Sequence, residues 1–405
     1  MMKVVWLSNV DITTCNMIGS GSWVFAMANA LADNFDCISI TNISISNRRS
    51  SKILNNGKLT QINIPKGRSY KQFQKTVTEI INNEQPDIIH VWGTESDWCR
   101  CHFLYNFCPV LVDMQGVLSV VAENFYGGLT CTEIIKCIGF KELLKPTSSL
   151  IYSKYRYWKL SLGEHEVIKS LSYASVQSDW IANHVLTINP KCELIRTSIV
   201  LRPEFYQAKK WRNNCRRFIF STATMVTPLK GLHLLLKSLS IVKMFIPDIQ
   251  LRLAGSVQKG LRKGGYARYI ISLIKKYELE SNVTFLGEIG TNELIREYQE
   301  ASVFVNPSYV ESYSLVVAES MFIGTPVVAS YVGGMSELGN DKESILYFPK
   351  GDYVSCAHQI IRLLIDNNLA KCLSDNSIDI ATKRNSSSIA SCRQMEIYND
   401  ILLKC

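Results

Sequence analysis

Short apolar runs alternating with stretches of helical periodicity constrain this chain more than any other feature, because strands spaced in this way pair in parallel and bury both faces of their sheet under helices. The alternation runs twice. In the first half, strands are expected at 4–8, 37–41, 59–64, 87–92, 109–113 and 173–176, with helices at 23–31 and 70–83. It restarts with strands at 217–221, 250–254, 283–285, 302–306 and 327–330, separated by helices at 230–241, 266–277, 292–300 and 314–322. The final helices are expected at 352–365 and 389–403. Between the two runs, 189–216 carries Pro190, Pro203 and many charges and reads as a linker. A chain of 405 residues exceeds what one core organises, so two domains follow.

The stretch 306–337, NPSYVESYSLVVAESMFIGTPVVASYVGGMSE, closes the second run. A strand feeds a turn carrying Glu311, then a helix that opens on small residues and leaves backbone N–H groups facing the loop. Such a helix start is a ready anion site. Glu319 lies about five residues inside the helix, roughly 7–8 Å along its axis at ~1.5 Å per residue. That is wider than the roughly 5–5.5 Å of retaining glycosidase carboxylates, and spacing alone leaves an inverting separation open. Two carboxylates beside a phosphate suit ribose and sugar hydroxyls better than a metal cluster. Each glutamate also has a plainer account, Glu311 as a solvated loop residue and Glu319 as an exposed helix residue.

Taken together, Glu311-Ser312-Tyr313-Ser314, Glu319-Ser320-Met321, Gly324-Thr325-Pro326-Val327-Val328, Gly333-Gly334 and Glu337 resemble the signature of retaining glycosyltransferases of family 4, two glutamates separated by seven residues. Pro228-Leu229-Lys230-Gly231 resembles the same family's Pro-x-Lys-Gly motif. The resemblance implies an α/β chain of GT-B fold: two Rossmann-like domains with parallel sheets facing across a cleft. Its N-terminal acceptor-side domain would span 1–198, its nucleotide-sugar-binding domain 199–385, and the last helix, 386–405, would pack back on the first domain. It implies a metal-independent hexosyltransferase without cofactor. Lys230 and the amides near Ser314, Leu315 and Val316 would hold the donor pyrophosphate. Glu319 would accept the ribose hydroxyls and Glu311 the sugar hydroxyls near the reacting carbon. The loop of Gly19 and Gly21 would face donor and acceptor. Gln115 stands where many members carry a histidine that contacts the donor sugar; an amide cannot titrate near neutral pH. Further departures are Ser312 and above all Ser314, where glycine is frequent and positive φ is less accessible to serine, and Thr224-Met225, where many members have Gly-Arg.

The implied partners are a nucleotide-sugar and a saccharide or lipid-linked saccharide acceptor, in cell-surface polysaccharide or lipopolysaccharide biosynthesis. Two other readings share the architecture: a nucleotide-sugar isomerase of the 2-epimerase type, and a non-catalytic nucleotide-sugar-binding subunit. The glycine turn does not have the GxGxxG spacing, so no dinucleotide is inferred. Gly93, Thr94 and Glu95 lie at the carboxyl end of a strand, whereas His90 within it reads as a core residue. Thirteen cysteines, an odd number scattered through predicted elements, indicate buried thiols in a reducing cytoplasm. The cluster Cys99, Cys101, His102 and Cys108 fits no standard zinc spacing. No apolar run reaches the ~18–20 residues of a membrane span, and the opening MMKVVWLSNV reads as a first buried strand. The net charge of +9 suits an anionic surface or substrate, and no nucleic-acid motif accompanies it. Within a helical region at 117–170, residues 141–159 interleave Lys141, Lys145, Lys154, Arg156 and Lys159 with tyrosines and Trp158. They read either as peripheral contact with an anionic membrane at its cytoplasmic face or as a helix packed on its own domain.

Overall fold

The computed structural model describes residues 1–13, 21–46, 52–65, 70–94, 102–213, 218–256 and 264–404. The chain divides into two compact units: Met1–Val117, Leu162–Pro203 and Arg384–Cys405 form the first, Leu118–Ser161 and Glu204–Lys383 the second.

In the first unit the apolar runs become β1 (Met2–Leu7), β2 (Ile38–Ser46), β3 (Lys52–Asn56), β4 (Leu59–Pro65), β5 (Ile88–Trp92), β6 (Val110–Asp113), β7 (Tyr173–Val176) and β8 (Glu193–Arg196). They form one sheet in the order β3-β4-β2-β1-β5-β6-β7-β8. Every pairing is parallel except the β3–β4 hairpin, which turns at Gly57 with φ +62°. The central strands are buried on both faces, so β5 reads Ile-Ile-His-Val-Trp with all five residues inside. The last helix, Ser387–Leu402, belongs to this unit and packs on Ser22–Asn34. Its Tyr398 hydroxyl accepts from Trp6 Nε1 at 3.0 Å and lies 2.8 Å from His90 Nδ1.

In the second unit, β9 (Phe218–Ser221), β10 (Gln250–Ala254), β11 (Val283–Gly287), β12 (Val303–Asn306), β13 (Val327–Ser330) and β14 (Leu346–Phe348) pair in parallel in the order β11-β10-β9-β12-β13-β14. This is the Rossmann order, with the strand sequence reversing between β9 and β12. Phe220, Tyr298 and Phe304 form an aromatic cluster in the core, with centroids 5.2–5.8 Å apart. The helix Tyr353–Ile365 starts at Asp352, whose Oδ1 accepts from Val354 N and Ser355 N.

Two sequence expectations change. The stretch 189–216 is not a plain linker, since it contains β8 and a helix at Pro203–Gln207, and the chain leaves the first unit at Pro203. The segment Leu118–Ser161, assigned by sequence to the first half, packs in the second unit. Long-range polar contacts hold it there. His233 Nε2 lies 2.8 Å from Gly127 O, Glu133 Oε1 accepts from Lys237 Nζ and the Tyr269 hydroxyl, and Glu142 Oε2 accepts from Arg268. The helix Leu150–Ser170 then runs on from the second unit into the first.

Candidate functional site

In an open α/β sheet, the loops leaving the carboxyl ends of the two strands at the topological switch form the binding crevice. In the second unit these loops follow β9 and β12 and carry Lys230 and Glu311. The first is shaped by a short 3-10 turn, Pro228–Lys230: Thr227 caps it by accepting from Leu229 N, Pro228 presets its φ, and Gly231 leaves it at φ +70°. A Cβ on Gly231 would stand 2.0 Å from Pro307 O, so only glycine lets the two loops close together. Tyr309 N donates to Leu229 O at 2.9 Å and ties them.

Lys230 Nζ donates to Glu311 Oε1 at 2.7 Å, and Ser308 Oγ donates to the same oxygen at 2.7 Å. The lysine is 37% exposed and the glutamate 11%. An ammonium has three donors, and this pairing uses one of them. Behind the pair, Asn306 fixes the loop from both sides. Its Oδ1 accepts from Ser308 N at 3.1 Å, and its Nδ2 donates to Ser314 Oγ at 2.9 Å.

Ser314 then opens the helix Leu315–Ile323 from a left-handed conformation, φ +78° and ψ +82°. Its side chain caps no helical N–H, and the first turn holds no acidic residue, so the backbone amides at Leu315 and Val316 keep the partial positive charge of a helix start. The Tyr298 hydroxyl donates to Val316 O at 3.1 Å and pins this turn. Glu319 is fully buried one turn in, which excludes the exposed-residue account of it. The Gly-Thr-Pro break ends the helix as its chemistry requires: Gly324 takes φ +93°, and Thr325 N returns to Ser320 O.

Six sequence-selected residues, Lys230, Glu311, Ser314, Leu315, Val316 and Glu319, therefore lie on adjoining segments of one unit. The other candidates lie in the first unit. Gln115 is half-buried just beyond β6. Gly21, at φ +94°, precedes the helix Ser22–Asn34, and a Cβ there would meet Val10 Cγ2 at 2.3 Å. Gly19 and Glu95 are outside the described residues, as are Cys99 and Cys101; among the described residues no group of His, Cys, Asp and Glu could hold a metal ion. Met225 is buried and cannot stand in for an exposed cation. His90 is a core residue: fully buried and stacked on Trp92, it has its pKa pushed down to about 3 by desolvation and stays neutral. Sequence reading missed Asn306 and Ser308 as positioning residues. The signal was there in two short polar side chains at the carboxyl end of an apolar strand.

Residues 204–379 match the family model "Glycosyl transferases group 1". Among curated proteins the chain is similar to D-inositol 3-phosphate glycosyltransferase of Pseudarthrobacter chlorophenolicus, 36% identical over 28% of this chain and 26% of the relative. It is also similar to the enzyme of the same name from Saccharomonospora viridis, 30% identical over 36% of this chain and 35% of the relative. The matches thus span about a quarter to a third of the curated relatives' length. Among solved structures, sucrose-phosphate synthase from Thermosynechococcus elongatus superposes with a TM-score of 0.76 at 18% identity, over 100% of both chains. Anabaena HepE in complex with UDP-glucose does so with 0.70 at 14%, over 99% of this chain and 100% of that one. Residues 204–379 thus resemble the glycosyl transferases group 1, and the two sheets of the chain have the GT-B fold of these solved structures.

Proposed function

We propose that this protein is a retaining, metal-independent glycosyltransferase that moves a hexosyl group from a nucleotide-sugar to a saccharide or lipid-linked saccharide acceptor. One observation carries the reading: Lys230 and Glu311, 81 positions apart in the chain, meet at 2.7 Å on the loops of the β9/β12 switch. A cation, a carboxylate and an uncapped helix start on adjoining segments suit a sugar diphosphate and are more than a structural ion pair needs. The HepE complex with UDP-glucose supports a nucleotide-sugar as the donor class.

In this mechanism Lys230 and the amides of Leu315 and Val316 hold the pyrophosphate and stabilise the charge that grows on it as it leaves. Glu319 accepts the ribose hydroxyls, and Glu311 binds sugar hydroxyls beside the reacting carbon. The bond from the anomeric carbon to the diphosphate oxygen breaks, the acceptor oxygen bonds to that carbon on the same face, and the acceptor proton passes to a phosphate oxygen. No side-chain nucleophile enters. The setting is cell-surface polysaccharide or lipopolysaccharide assembly at the cytoplasmic face.

Glu311→Ala is expected to lower transfer from the preferred nucleotide-sugar by about 100-fold or more, the scale of one lost transition-state contact. Undiminished transfer by a normally folded variant would remove the assignment. Conversion of the donor sugar without any acceptor would instead favour the isomerase reading.

A further inference from the structure

In the second unit, residues 136–159 contain six lysines and arginines and one carboxylate, Glu142. That carboxylate is turned inward. It is buried and accepts from Arg268 and from the backbone N–H groups of Gly139 and Gly265; burial pushes its pKa up, but these hydrogen bonds together outweigh that and hold it below the usual carboxylate value. The segment therefore offers no negative charge to solvent, while Lys145, Arg156 and Lys159 are exposed.

The apolar residues between these cations are turned outward. Phe140 is 75% exposed and Leu144 71%, on the short helix Phe140–Leu144. On Leu150–Ser170, Ile151, Tyr155 and Trp158 recur at spacings of four and three, one helical stripe, and each stays half-exposed. The helix also packs on its own unit, with Tyr157 against Phe125 at 5.4 Å between ring centroids, so the stripe is the face which that packing leaves uncovered. The stripe and Tyr126 line an apolar groove of about 510 Å³, with the Lys154 ammonium 4.6 Å from the Tyr126 ring centroid.

We propose that this face docks on a bilayer containing anionic lipid. Leucine and phenylalanine side chains enter the acyl region, Tyr155 and Trp158 sit at headgroup depth, and the lysines snorkel to lipid phosphates. The groove takes part of one lipid chain. Charge selects this occupant over a second copy of the chain, because an isologous pairing of the face would set its cations against a single exposed carboxylate, Glu123 at the groove. Protein interfaces also deplete lysine, which is abundant here.

The test is flotation of the full chain with phosphatidylcholine vesicles, with and without phosphatidylglycerol, combined with light scattering. The chain should float with the anionic vesicles, weaken with salt, and stay behind with neutral ones. Lys145→Gln with Lys159→Gln should weaken partition by about five-fold per residue, roughly 25-fold together. Phe140→Ser with Leu144→Ser should abolish flotation. Both variants should bind nucleoside diphosphate as the parent does. Absence of flotation, equal flotation on neutral vesicles, or a self-association that the substitutions remove would each overturn the proposal. The wild-type comparison decides even where a variant fails to fold. Vesicle binding without nucleotide binding would count against the transferase reading and leave this one standing.

Discussion

Ser314 shows how one residue is held against its own preference. At φ +78° a side-chain-bearing residue costs about 1–2 kcal/mol relative to glycine. The hydrogen bond from Asn306 returns about 1 kcal/mol. Ser314→Gly relieves the strain but loses that bond and loosens the unfolded chain, so its unfolding free energy in urea should stay within about 1 kcal/mol of the parent. Ser314→Ala keeps the strain and orphans a buried amide, and should lose about 1–3 kcal/mol. His90 gives a second prediction. Its pKa falls from the ordinary 6.5 to about 3 on folding, so the unfolded chain takes up a proton that the folded one refuses. Its contribution is fully present above about pH 6.5 and is lost as pH falls toward 3. Between about pH 7.5 and 5 this amounts to about 2 kcal/mol, from ~1.4 kcal/mol per pH unit below the unfolded value. Urea unfolding of the wild type should show that loss, and His90→Gln a shallower one. The placing of Glu311, Ser314 and Glu319 on one loop and helix start was legible in the sequence because it is local. The burial of Glu319 was not, because its helix is apolar on every face and offers no polar side to read.

At the scale of elements, the interior strands were readable, and of the four described edge strands only β11 was. β5 and β6 are unbroken apolar runs because both faces are covered. The missed strands are β3, Lys-Ile-Leu-Asn-Asn, and β8, Glu-Leu-Ile-Arg, both at sheet edges where one side meets no neighbour and charges are tolerated. β14 is only three residues long, too short to show a pattern. The helix Asn367–Arg384 was missed as well, its apolar positions diluted by asparagine, aspartate and lysine. The turn at Pro228–Gly231 is the element on which the site depends most. Gly231→Ala must force Cβ away from Pro307 O while holding φ near +70°. It should cost more than about 2 kcal/mol of stability and weaken donor binding as Lys230 leaves Glu311, measured by thermal melting with and without nucleotide.

At the scale of the molecule, the chain crosses between its units four times, after Val117, Ser161, Pro203 and Lys383. Periodicity shows that two parallel sheets exist, but it does not assign Leu118–Ser161 to one of them. That assignment rests on Glu133, Glu142 and Gly127 meeting partners more than a hundred positions away. The meeting of Lys230 and Glu311 is of the same kind, since only the strand order β11-β10-β9-β12-β13-β14 makes their loops neighbours. The central claim, that these loops cradle a nucleoside diphosphate, is tested most directly by calorimetric titration of wild type and Lys230→Ala with UDP and GDP. The account predicts that one nucleotide binds the wild type and binds Lys230→Ala at least about ten-fold more weakly, the loss of one charge-assisted hydrogen bond of about 1.5–3 kcal/mol. Equal affinity in the two proteins, or no binding of either nucleotide to the wild type, would contradict it.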